Sequence, residues 1–199
     1  MGTSSIIILA AGGSARLGLP KQLLHHKGKS LLRRSAETAL AAHPANIIAV
    51  LGFESDRMKH ELDDLPVHIV VNNEWHEGIA SSIREGINAL PPTTNSALIM
   101  LCDQPFVNSD LLVGLMEACS EQKPIAATGY DQTSGVPACF LRSMFSELVE
   151  LKGDQGAKTV IRLDASRVNV LPFNNANIDI DTIEDFQKLI DSTRQPSQG

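Results

Sequence analysis

Ser5-Ile6-Ile7-Ile8-Leu9-Ala10 runs straight into Ala11-Gly12-Gly13-Ser14-Ala15-Arg16-Leu17-Gly18-Leu19-Pro20-Lys21-Gln22-Leu23-Leu24. A short, unbroken Ile-rich run suits a strand buried on both faces, the habit of parallel sheets. The glycines that follow let backbone N–H groups approach an anion closely. Arg16 and Lys21 then place a guanidinium and an ammonium beside that loop. Bare amides with two cations outline a cradle for a triphosphate. Two familiar loops are excluded by spacing. Gly18 is followed by Leu19-Pro20 rather than by the Lys-Ser/Thr of a P-loop, and no G-x-G-x-x-G occurs. A plain strand-to-helix turn needs Gly as well. The two cations at the end of a first strand favour a ligand, because ligands of open α/β sheets bind there.

Working outward, the same pattern recurs. Ile47–Leu51, Val67–Val71 and Ala97–Leu101 are further apolar runs, and Leu31–Ala42, Asp56–Leu62, Ile79–Leu90 and Ser109–Ser120 read as helices, with Ser109 as an N-cap. Four strand–helix units in a row predict an α/β fold, a doubly wound, mainly parallel sheet in a single domain. Beyond residue 124 the spacing predicts strands over Ile125–Thr128, Ala138–Leu141 and Val168–Leu171. Helices are predicted over Phe145–Leu151, Ala157–Leu163 and Thr182–Ile190, the last capped by Asp181 or Thr182. The domain is expected over residues 1–191, with a polar, disordered tail over 192–199.

Length and composition bound the function. At 199 residues, roughly one domain of ~150 residues or more is expected. With 17 Lys and Arg against 23 Asp and Glu the chain is acidic, which argues against nucleic acid as a partner. Aromatics make up 4%, too few for a base-stacking platform. No apolar run approaches the ~20 residues of a membrane span, and no signal peptide is evident. Met1-Gly2 lacks the Ser or Thr of a myristoylation site, since residue 6 is Ile. Cys102, Cys119 and Cys139 lack CxxC spacing and read as reduced thiols of a cytoplasmic protein. The six histidines form no metal set: His25-His26 are adjacent and would face different ways on a helix, and the others are scattered.

Two acidic segments complete the pattern. Asp103, in Cys102-Asp103-Gln104-Pro105, sits just past the end of the fourth apolar run. It is either a turn cap or a metal ligand facing the glycine loop. Asp179 and Asp181 share a face if their stretch is extended, with N-capping as the alternative for Asp181. Asp103 and Asp181 together would satisfy Mg²⁺, which needs only one or two carboxylates beside phosphate oxygens and water. Trp75 near Gly78 is either pocket wall or partial core.

Taken together, Leu9–Lys21 resembles the L-A-A-G-x-S-x-R-M/L-G-x-P-K signature of molybdenum cofactor nucleotidyltransferases, closest to their cytidylyltransferase branch. Asn72–Ser82, Cys102–Pro105, Gly153–Lys158 and Asp179–Asp185 resemble later segments of that family in order. The similarity spans nearly the whole chain. It implies Mg²⁺-dependent transfer of CMP from CTP to a molybdopterin-type acceptor, with a molybdoenzyme or its chaperone receiving the product. Ala11, where the guanylyltransferase branch carries Gly, favours CTP over GTP. The resemblance implies that Arg16 and Lys21 are catalytic. Ala10, Ala11, Gly12, Gly13, Asn72, Ser82 and Asp103 would border the nucleotide. Asp103 and Asp181 would hold the metal, and Gly135, Pro137, Gly153 and Asp154 would face the acceptor. Val136, Gln155 and Ile183 replace the family's His, Lys and Pro, so transfer to another small-molecule phosphate, or nucleotide binding without turnover, remains open.

Overall fold

The computed structural model describes residues 3–14, 17–130, 133–173, 179–180 and 182–194. Arg16 and Asp181 therefore lie outside the described residues, as do 195–199. In chain order the elements begin with β1 (Thr3–Ala10), β2 (His25–His26), β3 (Lys29–Ser30), α1 (Leu31–Ala41), β4 (Asn46–Leu51), α2 (Ser55–Lys59) and β5 (His68–Val71). They continue with α3 (Ile79–Asn88), β6 (Thr94–Leu101), α4 (Ser109–Ala118), β7 (Ile125–Tyr130) and β8 (Thr133–Leu141). Last come α5 (Phe145–Val149), α6 (Ala157–Leu163), β9 (Val168–Pro172) and α7 (Ile183–Arg194).

Seven strands form one sheet in the order β5-β4-β1-β6-β8-β7-β9, and β8 alone runs antiparallel to its neighbours. The expected doubly wound, mainly parallel sheet is what forms. The Ile run of β1 explains its central place. Ile6 and Ile8 pack on one face with Leu32, Leu112 and Leu115 of α1 and α4. Ile7 and Leu9 pack on the other with Ile83, Leu148 and Val160 of α3, α5 and α6. Each such fully buried side chain contributes ~1.5–3 kcal/mol.

From β1 the chain winds outward to β4 and β5, then returns through α3 to β6 on the opposite side of β1. The winding direction thus reverses between β1 and β6, the place where α/β sheets hold ligands. Leu9 pairs with Leu101 there, so the glycine loop and the Asp103 turn leave the sheet side by side.

Several boundaries differ from the sequence expectation. Asn108, not Ser109, caps α4: its side-chain Oδ1 accepts from the Leu111 N–H at 2.9 Å. Its extended backbone suits a cap, whereas Ser109 is already helical. His25-His26 form one short strand of a hairpin ahead of α1. α2 ends at Lys59 and begins after Glu54, whose φ is 50°. Thr182 caps α7 reciprocally, its hydroxyl accepting from the Asp185 N–H while the Asp185 carboxylate accepts from the Thr182 N–H. That helix continues to Arg194, past the expected start of the tail.

Candidate functional site

A cleft of about 430 Å³ opens where β1 and β6 end. Ala10, Ala11 and Gly12 form one wall; Leu101, Cys102 and Asp103 form the wall beside it. Lys21 and Gln22 close it from the short helical turn after the loop, and Trp75, His76, Gly78, Ile79, Ser82 and Asp154 complete the rim.

Two interactions hold the loop in shape. The buried Gln22 carboxamide donates from Nε2 to the carbonyls of Ala10, at 2.9 Å, and Gly12, at 2.7 Å. The Ser14 hydroxyl accepts from the Lys21 N–H at 3.2 Å. Lys21 is thereby aimed across the cleft, where its Nζ forms an ion pair with Asp103 Oδ2. The other oxygen, Asp103 Oδ1, is buried with no hydrogen-bond partner among the described residues. Leaving a buried acceptor unpaired costs ~1–3 kcal/mol, so such an atom invites a ligand. Beside it the Cys102 thiol is pushed well above its usual pKa by burial and by the Asp103 carboxylate. It is inert as a nucleophile.

The second acidic segment reaches the same turn. Ile180, fully buried against Leu31 and Leu189, donates its N–H to the Asp103 carbonyl at 3.0 Å. The backbone immediately before Asp181 is thus docked on Asp103.

The remaining sequence candidates fall in three places. Asp154 lines the cleft, because Gly78 meets the Gly153-Asp154 turn so closely that a Cβ there would lie 2.4 Å from the Gly153 carbonyl. That carbonyl accepts from the Ala80 N–H at the start of α3. Asp154 therefore shares the cleft with the glycine loop, and Gly153 packs behind it against Gly78 and Ala80. Ser82 lines the cleft, but Asn72 stands behind it. Both Asn72 amide hydrogens go to the Ser81 and Ser82 hydroxyls, and its oxygen accepts from the Glu74 N–H. Its observed work is to shape the turn into α3. Gly135 and Pro137 lie on β8 outside the cleft lining; the Val136 carbonyl between them accepts from Gln104 Nε2 and braces the Asp103 turn.

Sequence reasoning left three participants without a role. Gln22 was visible only as part of the loop motif. Phe53 donates its N–H to the Ala11 carbonyl and packs edge-on against Trp75, with ring centroids 5.4 Å apart. Gly52 next to it is squeezed between Ala11 and Trp75, where a Cβ would approach both within 2.7 Å. Trp75 itself is wall and packing at once.

A domain family described as MobA-like NTP transferase matches residues 6–170. The chain belongs to that family. A nucleotidyltransferase family agrees with a cleft that sets Lys21 beside a glycine loop. Among curated relatives, the nicotine blue oxidoreductase of Paenarthrobacter nicotinovorans is 30% identical over 197 residues, covering 92% of this chain and 95% of that one. The purine catabolism protein PucB of Bacillus subtilis is 27% identical over 199 residues, covering 92% and 94%. Among solved structures, Rv0371c of Mycobacterium tuberculosis superposes with a TM-score of 0.85 at 27% identity, covering 96% of this chain and 98% of that one. Rv0371c has also been solved in complex with manganese, with a TM-score of 0.82 to this nucleotidyltransferase at 26% identity and 96% and 99% coverage.

The residues present fit a divalent cation. Asp103 Oδ1 is a hard, buried oxygen donor without a partner among the described residues, and Asp154 lines the same cleft. No cluster of three or more His, Cys, Asp or Glu able to hold a metal occurs among the described residues. The protein's carboxylates would therefore share such an ion with ligand oxygens.

Proposed function

We propose that this nucleotidyltransferase transfers CMP from CTP to the phosphate of a molybdopterin-type acceptor and releases pyrophosphate, using Mg²⁺. The observation that carries the reading is the Lys21–Asp103 pair facing the glycine loop in the cleft at the β1/β6 switch point. Gly12 adds to it. An added Cβ there would meet nothing within 4 Å, so no contact among the described residues demands glycine. A phosphate drawn close to the backbone would demand it. The molybdopterin acceptor and the choice of CTP are supported by the sequence resemblance. A divalent cation is supported by the unpartnered Asp103 oxygen and by manganese in Rv0371c.

In this mechanism an oxygen of the acceptor's phosphate attacks the α-phosphorus of CTP in line, and the bond to the pyrophosphate oxygen breaks. A phosphate monoester is already a nucleophile, so the protein supplies no general base. It supplies positioning and charge neutralisation. Backbone amides near Gly12 and Gly13 hold the triphosphate. Lys21, with Arg16 by resemblance, offsets the charge that develops on the departing pyrophosphate. Asp103, with Asp181 by resemblance, would hold Mg²⁺, which would screen the repulsion between the two anionic reactants. Ser82 and Trp75 border the nucleotide, and Asp154 lies where nucleotide and acceptor meet.

Purified protein is incubated with Mg²⁺, each nucleoside triphosphate in turn and a reduced molybdopterin extract. Pyrophosphate is then measured. Release with CTP that depends on the extract is expected. Release with GTP instead would replace the nucleotide assignment. Thermal stabilisation by CTP with no pyrophosphate from any nucleotide would mark a binding module and end the transferase reading.

A further inference from the structure

At the opposite end of the sheet lies a second cavity, of about 760 Å³, that nucleotidyl transfer does not use. It opens around the first residues of β1 and β6 and is lined by His43, Ser96, Glu117 and Cys119 among others. Cys119 caps the C-terminus of α4 and is half-buried, while Cys139 is fully buried near the C-terminal end of β8. The Cys119 Sγ lies 3.2 Å from the Cys139 carbonyl oxygen, and both thiols are free. The two thiols also interact with each other, and unequally. Hydrogen bonding from the Cys139 thiol, helped by the Ala126 N–H, lowers the Cys119 pKa; the same contact and burial raise that of Cys139. Cys119 is also the thiol that lines the cavity, while Cys139 is sealed behind it. Reactive thiols are those that are accessible and depressed in pKa, often beside a second, resolving cysteine.

We propose that Cys119 and Cys139 form a dithiol–disulfide couple oxidised by hydroperoxides through this cavity, with Cys119 attacking and Cys139 resolving. In the first step the Cys119 thiolate attacks one peroxide oxygen. The O–O bond breaks, the distal oxygen leaves and takes a proton, and Cys119 becomes a sulfenic acid. In the second step Cys139 gives up its proton and its sulfur attacks the Cys119 sulfur. The S–S bond forms as the S–O bond breaks, and hydroxide leaves with that proton as water. Two thiols are oxidised and one peroxide is reduced. The product ties the end of α4 to β8, and β8 braces the Asp103 turn through the Val136 carbonyl. Cys102 is no competitor, being buried at the other end of the sheet with its thiol pKa pushed up.

The test treats the full-length protein with hydrogen peroxide and alkylates the remaining thiols under denaturing conditions. Cleavage after glutamate separates Cys102, Cys119 and Cys139 onto peptides 86–117, 118–121 and 122–147. Free thiols are expected to fall from three to one, with the last two peptides joined and released again by dithiothreitol. In Cys139→Ser, dimedone is expected to trap a sulfenic acid on Cys119. Three surviving thiols in the wild-type chain, a link through Cys102, or Cys119 sulfinic acid beside an alkylatable Cys139 would each overturn the proposal.

Discussion

Lys21 and Asp103 stand far apart in the chain and meet because β1 and β6 are neighbours in register. The pair is nearly buried, with Lys21 18% and Asp103 8% exposed at the side chain. Removing one member of a buried pair leaves an uncompensated charge, and removing a preorganised cation or metal ligand weakens transition-state stabilisation. Lys21→Ala and Asp103→Ala are each expected to lower turnover by ~10²–10³ while leaving the far-UV circular dichroism spectrum unchanged. Wild-type pyrophosphate release by either folded variant would remove that residue from the mechanism. The cation and the carboxylate could both be found in the sequence, because a charge in a Gly-rich turn or at a strand end has few structural reasons to be there. Gln22 could not. Its importance lies in two carbonyls it reaches, and hydrogen-bond partners are fixed by the path of the folded chain.

Among the elements, α3 is held close to the sheet. It crosses β1 so closely that a Cβ on Gly86 would sit 2.6 Å from Ile7 Cγ2. Gly in a helix interior ordinarily costs 0.5–1 kcal/mol relative to Ala. Here the crowding wins, because Ile7 is fully buried, β-branched and fixed in the sheet, and overpacking costs ~1–3 kcal/mol. Gly86→Ala is therefore expected to destabilise the protein by about 1 kcal/mol net, read as a lower urea midpoint at constant slope. A midpoint equal to or above wild type would show that α3 can shift away from β1. Helix positions such as Leu31–Ala41 and Ala157–Leu163 followed directly from apolar spacing. Cap positions followed less well. Asn108 and Ser109 are both good caps by residue type, and only the extended backbone at Asn108 chose between them.

For the whole molecule, the cleft joins segments from the first strand, the turn into α3, the end of β6 and the 153–154 turn. A ligand that bridges them should stabilise all of them at once. Saturation with CTP and Mg²⁺ at about 100 times the dissociation constant should add ~2.7 kcal/mol. For a chain of this size that is a rise in Tm of roughly 5–10 °C. Chelating the metal with EDTA should remove most of it, and an identical rise without metal would take the cation out of the nucleotide site. The amino-acid sequence determined the alternation of strands and helices, the mainly parallel sheet and the charged glycine loop, because hydrophobic period and turn chemistry are local. It did not determine that β8 enters the sheet antiparallel, that Asn72 spends its amide on Ser81 and Ser82, or that Gly153-Asp154 closes on Gly78. Those depend on which distant segments compete for the same space and the same hydrogen-bond partners, and that competition is resolved only when the chain packs.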